Sequence, residues 1–269
     1  MSAHLQQALC ELEALERSAR AQTPLHRLDA RAKLLTTAVY LVTMLSVPLA
    51  QLSEILLYAL FPLLTAAMGG LRPGALLRRS LVVLPFAAMI GVGNLFYDRV
   101  PVFQLGALTV TDGGIAFLSI VLRGVLSVCA LLVLVGTTGF FGLCRGLQRL
   151  GVPRLFTVQL LFVYRYLYVL IDEAIHLSQA REARSFGRRT LPLRVWGPMI
   201  GQLLIRTFDR AEQIHHAMQA RGFTGRIPDG MGPRTHWRRA ETLYLLGWSA
   251  ALLLARCFGP VETLTRLLR

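Results

Sequence analysis

The chain has 269 residues, carries 29 Lys+Arg against 15 Asp+Glu for a formal charge of +14, and is 54% hydrophobic with a mean hydropathy of +0.51. That apolar content excludes a disordered basic tail and argues against a soluble nucleic-acid binder. The joint reading is a membrane protein whose positive charge lies on one side. Four cysteines (Cys10, Cys129, Cys144, Cys257) lie far apart without a CxxC or Cys/His cluster, so neither a disulfide framework nor a zinc site is expected.

Residues 1–33 hold Glu11, Glu13, Glu16, Arg17, Arg20, Arg27, Asp29, Arg31 and Lys33, with no apolar stretch of the signal-peptide kind. Leu5, Leu9, Leu12 and Leu15 recur at helical spacing, so a short amphipathic helix is predicted there, on the cytoplasmic side. Lys33 is the only lysine in the chain. A membrane helix needs about 20 mostly apolar residues. Uncharged runs at Leu34–Ser53, Ile55–Leu71 and Ser80–Tyr97 predict three spans, and Gly114–Gly136 a fourth, interrupted only by Arg123. Thr242–Ala255 is a shorter fifth candidate. Pro48, Pro62 and Pro85 fall within these spans, where neighbouring helices can satisfy the freed backbone groups.

Orientation follows from the links. The link after span two holds Arg72, Arg78 and Arg79, whereas the link after span three holds Asp98 and Arg99 and nets to zero. The positive-inside rule then places the first link, the N-terminus and the segment after span four in the cytoplasm. That segment, Gly139–Arg239, has 16 Arg and 6 acids, a net of +10, and is still rich in Leu, Phe, Tyr and Ile. It predicts a helical domain on the membrane surface. Phe140–Leu150 reads as a short helix stopped by Gly151. Pro153 opens a long helix that can run to Gly187, apolar in its first half and polar on one face in its second. Arg188–Pro192 reads as a turn, and a second long helix runs from about Val195 or Pro198 to Gly222. Its stripe Ile200, Leu203, Leu204, Thr207, Phe208, Ala211, Ile214, His215 and Met218 predicts helix packing. Phe223–Pro233 is a Gly/Pro-rich loop.

The fold class expected is therefore all-α and polytopic, with about five transmembrane helices. A cytoplasmic N-terminal segment spans 1–33, helices one to four span 34–138, a coupling domain spans 139–239, and the last helix and C-terminus span 240–269. Entry of the 153–180 region into the bilayer would make six spans.

Both long helices end alike. The first finishes Ala183-Arg184-Ser185-Phe186, the second Ala220-Arg221-Gly222-Phe223, the two arginines 37 positions apart. An Arg in the last turn complements the helix dipole and Gly ends helices, so each alone reads equally well as a cap. As a pair in one basic domain they read as a repeated docking element.

At these residues the sequence resembles the transmembrane T component of energy-coupling-factor transporters, the EcfT/CbiQ family, and most closely its cobalt-uptake branch, CbiQ. Leu25–Lys33 is similar to the family's entry to span one. Arg165–Ala174 running on to Ala183–Ser185, and Arg206–Glu212 running on to Ala220–Gly222, are similar to its two coupling helices. The resemblance implies a non-catalytic subunit that holds no cofactor, ATP and Mg being bound by two partner ATPases of the CbiO kind. It implies a substrate-binding S component of the CbiM kind and allows a small accessory membrane subunit of the CbiN kind. It assigns ATPase contact to Ala183, Arg184, Ser185, Ala220, Arg221 and Gly222, the arginines pairing with partner acids and the small residues letting helix ends seat closely. Cobalt is the substrate implied; nickel or a vitamin is the alternative.

Other classes fare worse. The predicted spans contain no Asp, Glu or His, which leaves an intramembrane enzyme without acid–base or metal chemistry. His215 and His216 are adjacent and hence about 100° apart on a helix, a poor chelating pair. Arg123, the one charge within a span, is expected to bond backbone carbonyls or a neighbouring helix; a self-contained carrier or channel is the alternative. The basic domain is expected to face lipid headgroups and acidic partners, not nucleic acid.

Overall fold

A computed structural model describes residues 2–19, 21, 23–48, 51–97, 101–105, 108–184, 193–223 and 237–258. The chain folds as two compact units, one of Met1–Arg17 with Phe140–Pro233, the other of Ser18–Gly139 with Arg234–Arg269. The helices of the second unit are α2 (Ala30–Leu45), α3 (Leu52–Tyr58), α4 (Leu60–Met68), α5 (Pro73–Ser80), α6 (Leu84–Tyr97), α7 (Asp112–Thr138) and, after the other unit, α11 (Arg239–Phe258). The first unit holds α1 (Ser2–Ala19) as far as Arg17, α8 (Phe140–Arg149), α9 (Arg154–Arg184) and α10 (Leu193–Ala220). A two-stranded antiparallel ribbon, β1 (Pro101–Leu105) and β2 (Leu108–Thr111), joins α6 to α7, with Gln104 opposite Thr109. The all-α expectation holds, with this ribbon where a plain link was expected.

Prolines set the breaks. The expected first span, 34–53, ends early: Pro48 has no N–H and steers Val47 away from helical backbone, so α2 stops at Leu45. The second expected span is divided at Ala59, because Pro62 offers no N–H to the carbonyl of Tyr58. The third begins earlier than its uncharged run. Pro73 occupies the first turn of α5, and a one-turn 3-10 helix at Leu81–Val83, just before Pro85, carries the chain into α6. Arg78 and Arg79 thus lie on α5 and not in the preceding link.

The core of this unit is aromatic. Tyr40 stacks on Phe61 with centroids 4.5 Å apart, and Trp248 meets Phe61 edge-on at 4.9 Å. Met44, Ile55, Tyr58 and Leu252 fill the space around them. Threonines buried along α2 return their hydroxyls to the backbone one turn back, Thr36 to Ala32 at 2.7 Å and Thr37 to Lys33 at 2.8 Å. That satisfies polar groups in an apolar helix. The outward faces stay apolar: Leu56, Val82, Phe86 and Met89 are exposed. Pro73–Gly93, Gly113–Thr138 and Arg154–Arg184 are each long and apolar enough to cross a membrane; Glu54–Met68, across the break between α3 and α4, is a shorter apolar stretch. Those faces and lengths fit an all-α membrane protein.

Candidate functional site

The two Ala-Arg motifs sit on one helix pair. α9 and α10 run antiparallel, as two contacts fix. Arg206 on α10 donates to Glu173 on α9 at 2.5 Å, and Phe223, just past α10, packs on Phe162 near the start of α9 with centroids 6.2 Å apart. The C-terminal end of α10 therefore lies level with the beginning of α9. Arg184, at the far end of α9, is about 30 Å further along at 1.5 Å per residue. The structure does not bring the two motifs together; it holds them at opposite ends of the pair.

Each motif is presented outward. Ala183 and Arg184 occupy the last turn of α9 and are exposed, while Ser185 lies outside the described residues, as do Gly187 and the expected turn at 188–192. Ala220, Arg221 and Gly222 are exposed at the end of α10. Neither the Arg184 nor the Arg221 guanidinium has a hydrogen-bond or ion-pair partner among the described residues. α10 closes in a Schellman turn: Phe223 N–H donates to Met218 O at 3.0 Å and Gly222 N–H to Gln219 O at 2.9 Å. Gly222 adopts φ +74°, which L side chains avoid. Its Gly is thus a cap, and the cap leaves the adjacent Arg221 projecting from a rigid helix end. A Cβ at Gly222 would meet open space, so conformation and not crowding demands glycine in the free chain.

Of the predicted stripe on α10, Leu203, Thr207, Ile214 and Met218 are partly buried, whereas Ile200, Leu204 and Phe208 are exposed. An open groove of about 550 Å³ lies between α9 and α10, lined in part by Glu173, Arg206, Asp209 and Arg210. The Arg206–Glu173 pair braces the two helices there. It is half exposed on the arginine side, so it contributes at most about 1 kcal/mol. At the other side of α9, Phe140 stacks on Tyr164 at 4.2 Å, Tyr164 and Tyr168 share a hydroxyl contact of 2.9 Å, and both reach Glu16 of α1 at 3.5 Å. The N-terminal helix is thereby tied to α9, a partnership its leucine spacing did not signal.

Both terminal nitrogens of Arg123 are engaged, while its buried Nε has no partner among the described residues. Its Nη2 donates to Val47 O at 2.5 Å and Pro48 O at 3.0 Å, and its Nη1 to Leu45 O at 3.4 Å. Arg256 of α11 takes the remaining carbonyl, Ser46 O, at 3.2 Å. At the end of α2 the backbone itself returns to Val42 O and Met44 O; the carbonyls of Leu45 to Pro48, where the chain leaves the helix, are met by two arginines from two other helices. The expected carbonyl role of Arg123 is what the structure shows; the part of Arg256 was not foreseen. Among the described residues no three His, Cys, Asp or Glu converge as a metal-ligand set.

Residues 21–231 match the family model described as CbiQ, cobalt transport protein. The chain is 34% identical over 102 residues to the nickel permease LarQ of Lactiplantibacillus plantarum, a match covering 38% of this chain and 37% of that protein. It is 30% identical over 242 residues to the energy-coupling factor transporter transmembrane protein EcfT of Limosilactobacillus fermentum, covering 82% of this chain and 88% of that one. It is 32% identical over 105 residues to the cobalt transport protein CbiQ of Salmonella typhimurium, covering 38% and 46%. The chain thus spans less than half of the length of the nickel permease and of the Salmonella protein, and most of the length of the Limosilactobacillus one.

Proposed function

Because the chain belongs to the CbiQ cobalt transport family, we propose that it is the membrane-embedded T component of an energy-coupling-factor importer, passing ATP-driven motion from two ATPases to a substrate-binding S component. The observation that carries this reading is the pair of exposed arginines, Arg184 and Arg221, without a partner among the described residues and held at opposite ends of an antiparallel helix pair. One protein surface cannot readily cover both ends; two copies of one ATPase can. Guanidinium forms bidentate, charge-assisted bonds to carboxylates, so each end suits an acidic groove. Ala183, Ser185, Ala220 and Gly222 keep the surroundings of each arginine small enough for a close seat.

ATP and Mg belong to the ATPases in this reading, and the chain itself does no chemistry. The cargo is a divalent cobalt ion, held by a CbiM-like S component with or without a CbiN-like accessory subunit. Nickel is the alternative cargo that the similarity to the nickel permease favours. The protein is multi-pass, with its N-terminal segment and the 139–239 coupling domain cytoplasmic, in contact with lipid headgroups and not with nucleic acid. Arg72, Arg78 and Arg79 at and near the start of α5 support that orientation. A self-contained carrier would rest on Arg123, whose guanidinium is already occupied by three backbone carbonyls.

Uptake of labelled cobalt into vesicles tests the proposal. Vesicles containing this chain, its two ATPases and its S component accumulate cobalt only with ATP, and vesicles with this chain alone remain at background. Cobalt or nickel flux through the chain alone, equal to that of the full complex, would sink the reading.

A further inference from the structure

Lys33 is the chain's single lysine and is nearly inaccessible, 4% exposed. Its Nζ donates to Thr137 O at 2.9 Å, across 104 positions of sequence. Thr137 is in the last turn of α7. That helix ends at Thr138, and Gly139 follows it with φ +70° and an N–H that donates to Val135 O at 2.9 Å. The glycine turn accounts for one orphan carbonyl of α7 and Lys33 takes another. An ammonium withdrawn from water is costly unless it is bonded and compensated. A neutral donor would suffice for one carbonyl, so a buried cation here is more than a cap requires. It also faces the negative end of the α7 dipole.

The residues just before Lys33 build the same corner. Asp29, 1% exposed, caps α2 by accepting from Arg31 N–H at 3.0 Å and pairs with the Arg31 guanidinium at 3.6 Å. His26 Nε2 donates to Ser18 O at 3.0 Å, and the Thr23 hydroxyl donates to His26 Nδ1 at 2.6 Å. The end of α4 closes onto the corner too: a Cβ on Gly69 would lie 2.8 Å from Thr137 Cγ2. Three stretches distant in sequence, around residues 23–33, 69 and 136–139, are thus locked together. Directly after Gly139 the chain leaves this unit for the one that carries Arg184 and Arg221.

We propose that Leu25–Lys33 is a clamp on the carboxyl end of α7, with Lys33 as a positioning residue that keeps this exit rigid when the coupling helices are displaced. The proposal rests on the coupling role argued above. A loose exit would let the last turn of α7 unwind and absorb the motion; a clamped one passes it to the whole helix. Leu25–Lys33 then serves transmission, beyond marking the entry to the first span.

The test uses the complete transporter in vesicles, with Lys33→Met, Lys33→Arg and a variant with two glycines inserted between Gly139 and Phe140. ATPase co-purification, ATP hydrolysis and cobalt uptake are read on each. In Lys33→Met, the ATPases co-purify as in wild type and hydrolysis is retained, while uptake per ATP falls about 10-fold. Lys33→Arg, which keeps the charge and the donors, recovers most of that loss. The glycine insertion leaves the clamp intact and uncouples in the same manner, which keeps the idea testable if Lys33→Met fails to insert. Wild-type uptake per ATP in Lys33→Met or in the glycine insertion overturns the clamp alone. Loss of ATPase co-purification in Lys33→Met also overturns it, because the role is then structural. A wild-type complex without ATP-driven uptake overturns the clamp and the coupling reading together.

Discussion

Reversing the charge of both motif arginines, Arg184→Glu with Arg221→Glu, abolishes ATPase association while the protein still inserts and folds. The reasoning starts from exposure. Both side chains lie at helix ends, in solvent, with no partner among the described residues, so their loss removes nothing that holds the free chain together. In a complex each is expected to meet carboxylates in a closed groove, where truncating one partner of a desolvated pair costs about 2–5 kcal/mol. Charge reversal adds repulsion to that loss. Two such sites act in series, so the double variant should fall well below detectable co-purification, and each single variant should retain one weakened contact. A pull-down of tagged protein against the ATPases, beside a melting curve of the tagged protein alone, reads both halves. An unchanged melting temperature with lost ATPase is the expected result. Full ATPase recovery in the double variant would remove these residues from the interface.

Arg123→Met is expected to act in the opposite way, on the fold and not on the partners. The arginine holds the carbonyls of Leu45, Val47 and Pro48 where α2 breaks. Methionine fills a similar volume but donates nothing, so the carbonyls of Leu45 and Val47 lose their partner at once, while Pro48 O keeps the N–H of Gln51. Breaking a buried charged group of this kind costs about 3–5 kcal/mol, offset in part because the cation itself no longer needs to be buried. Arg256→Met removes a single bond to Ser46 and should cost about 1 kcal/mol. Thermal unfolding in detergent gives the order: Arg123→Met well below Arg256→Met, and Arg256→Met just below wild type. An Arg123→Met protein that melts as wild type yet loses transport would return Arg123 to the transport path.

The elements that local chemistry controls were legible before any coordinates. The long apolar run, broken only by Arg123, marks α7, Gly151 stops α8, and Gly222 closes α10 with the positive φ that glycine permits. The two Ala-Arg echoes were visible as a pattern, though their separation to opposite ends of a helix pair was not, because it depends on how α9 and α10 cross. The start of α5 was misread for a local reason. Arg78 and Arg79 looked like the end of a cytoplasmic link, yet Pro73 at a helix first turn was the stronger signal. The ribbon between α6 and α7 was passed over although Val102, Phe103, Thr109 and Val110 are good strand residues.

What sequence could not supply were the long-range bonds. Lys33 meets Thr137, Arg256 meets Ser46 and Arg206 meets Glu173, over separations of 104, 210 and 33 positions. Each of these side chains reads locally as an ordinary charge beside an apolar run. Helical periodicity identifies the face a residue occupies and says nothing of the carbonyl it will reach. The unit to which α1 belongs was hidden in the same manner, since Glu16 finds Tyr164 and Tyr168 only after the chain has folded.

The central claim is that one copy of this chain bridges two ATPases through two separate helix ends. Native mass spectrometry of the detergent-purified complex counts the subunits directly. The account predicts two ATPase copies for each copy of this chain, and one copy after either single arginine reversal. A wild-type complex that carries no ATPase, or that keeps both copies when Arg184 and Arg221 are reversed together, would contradict it.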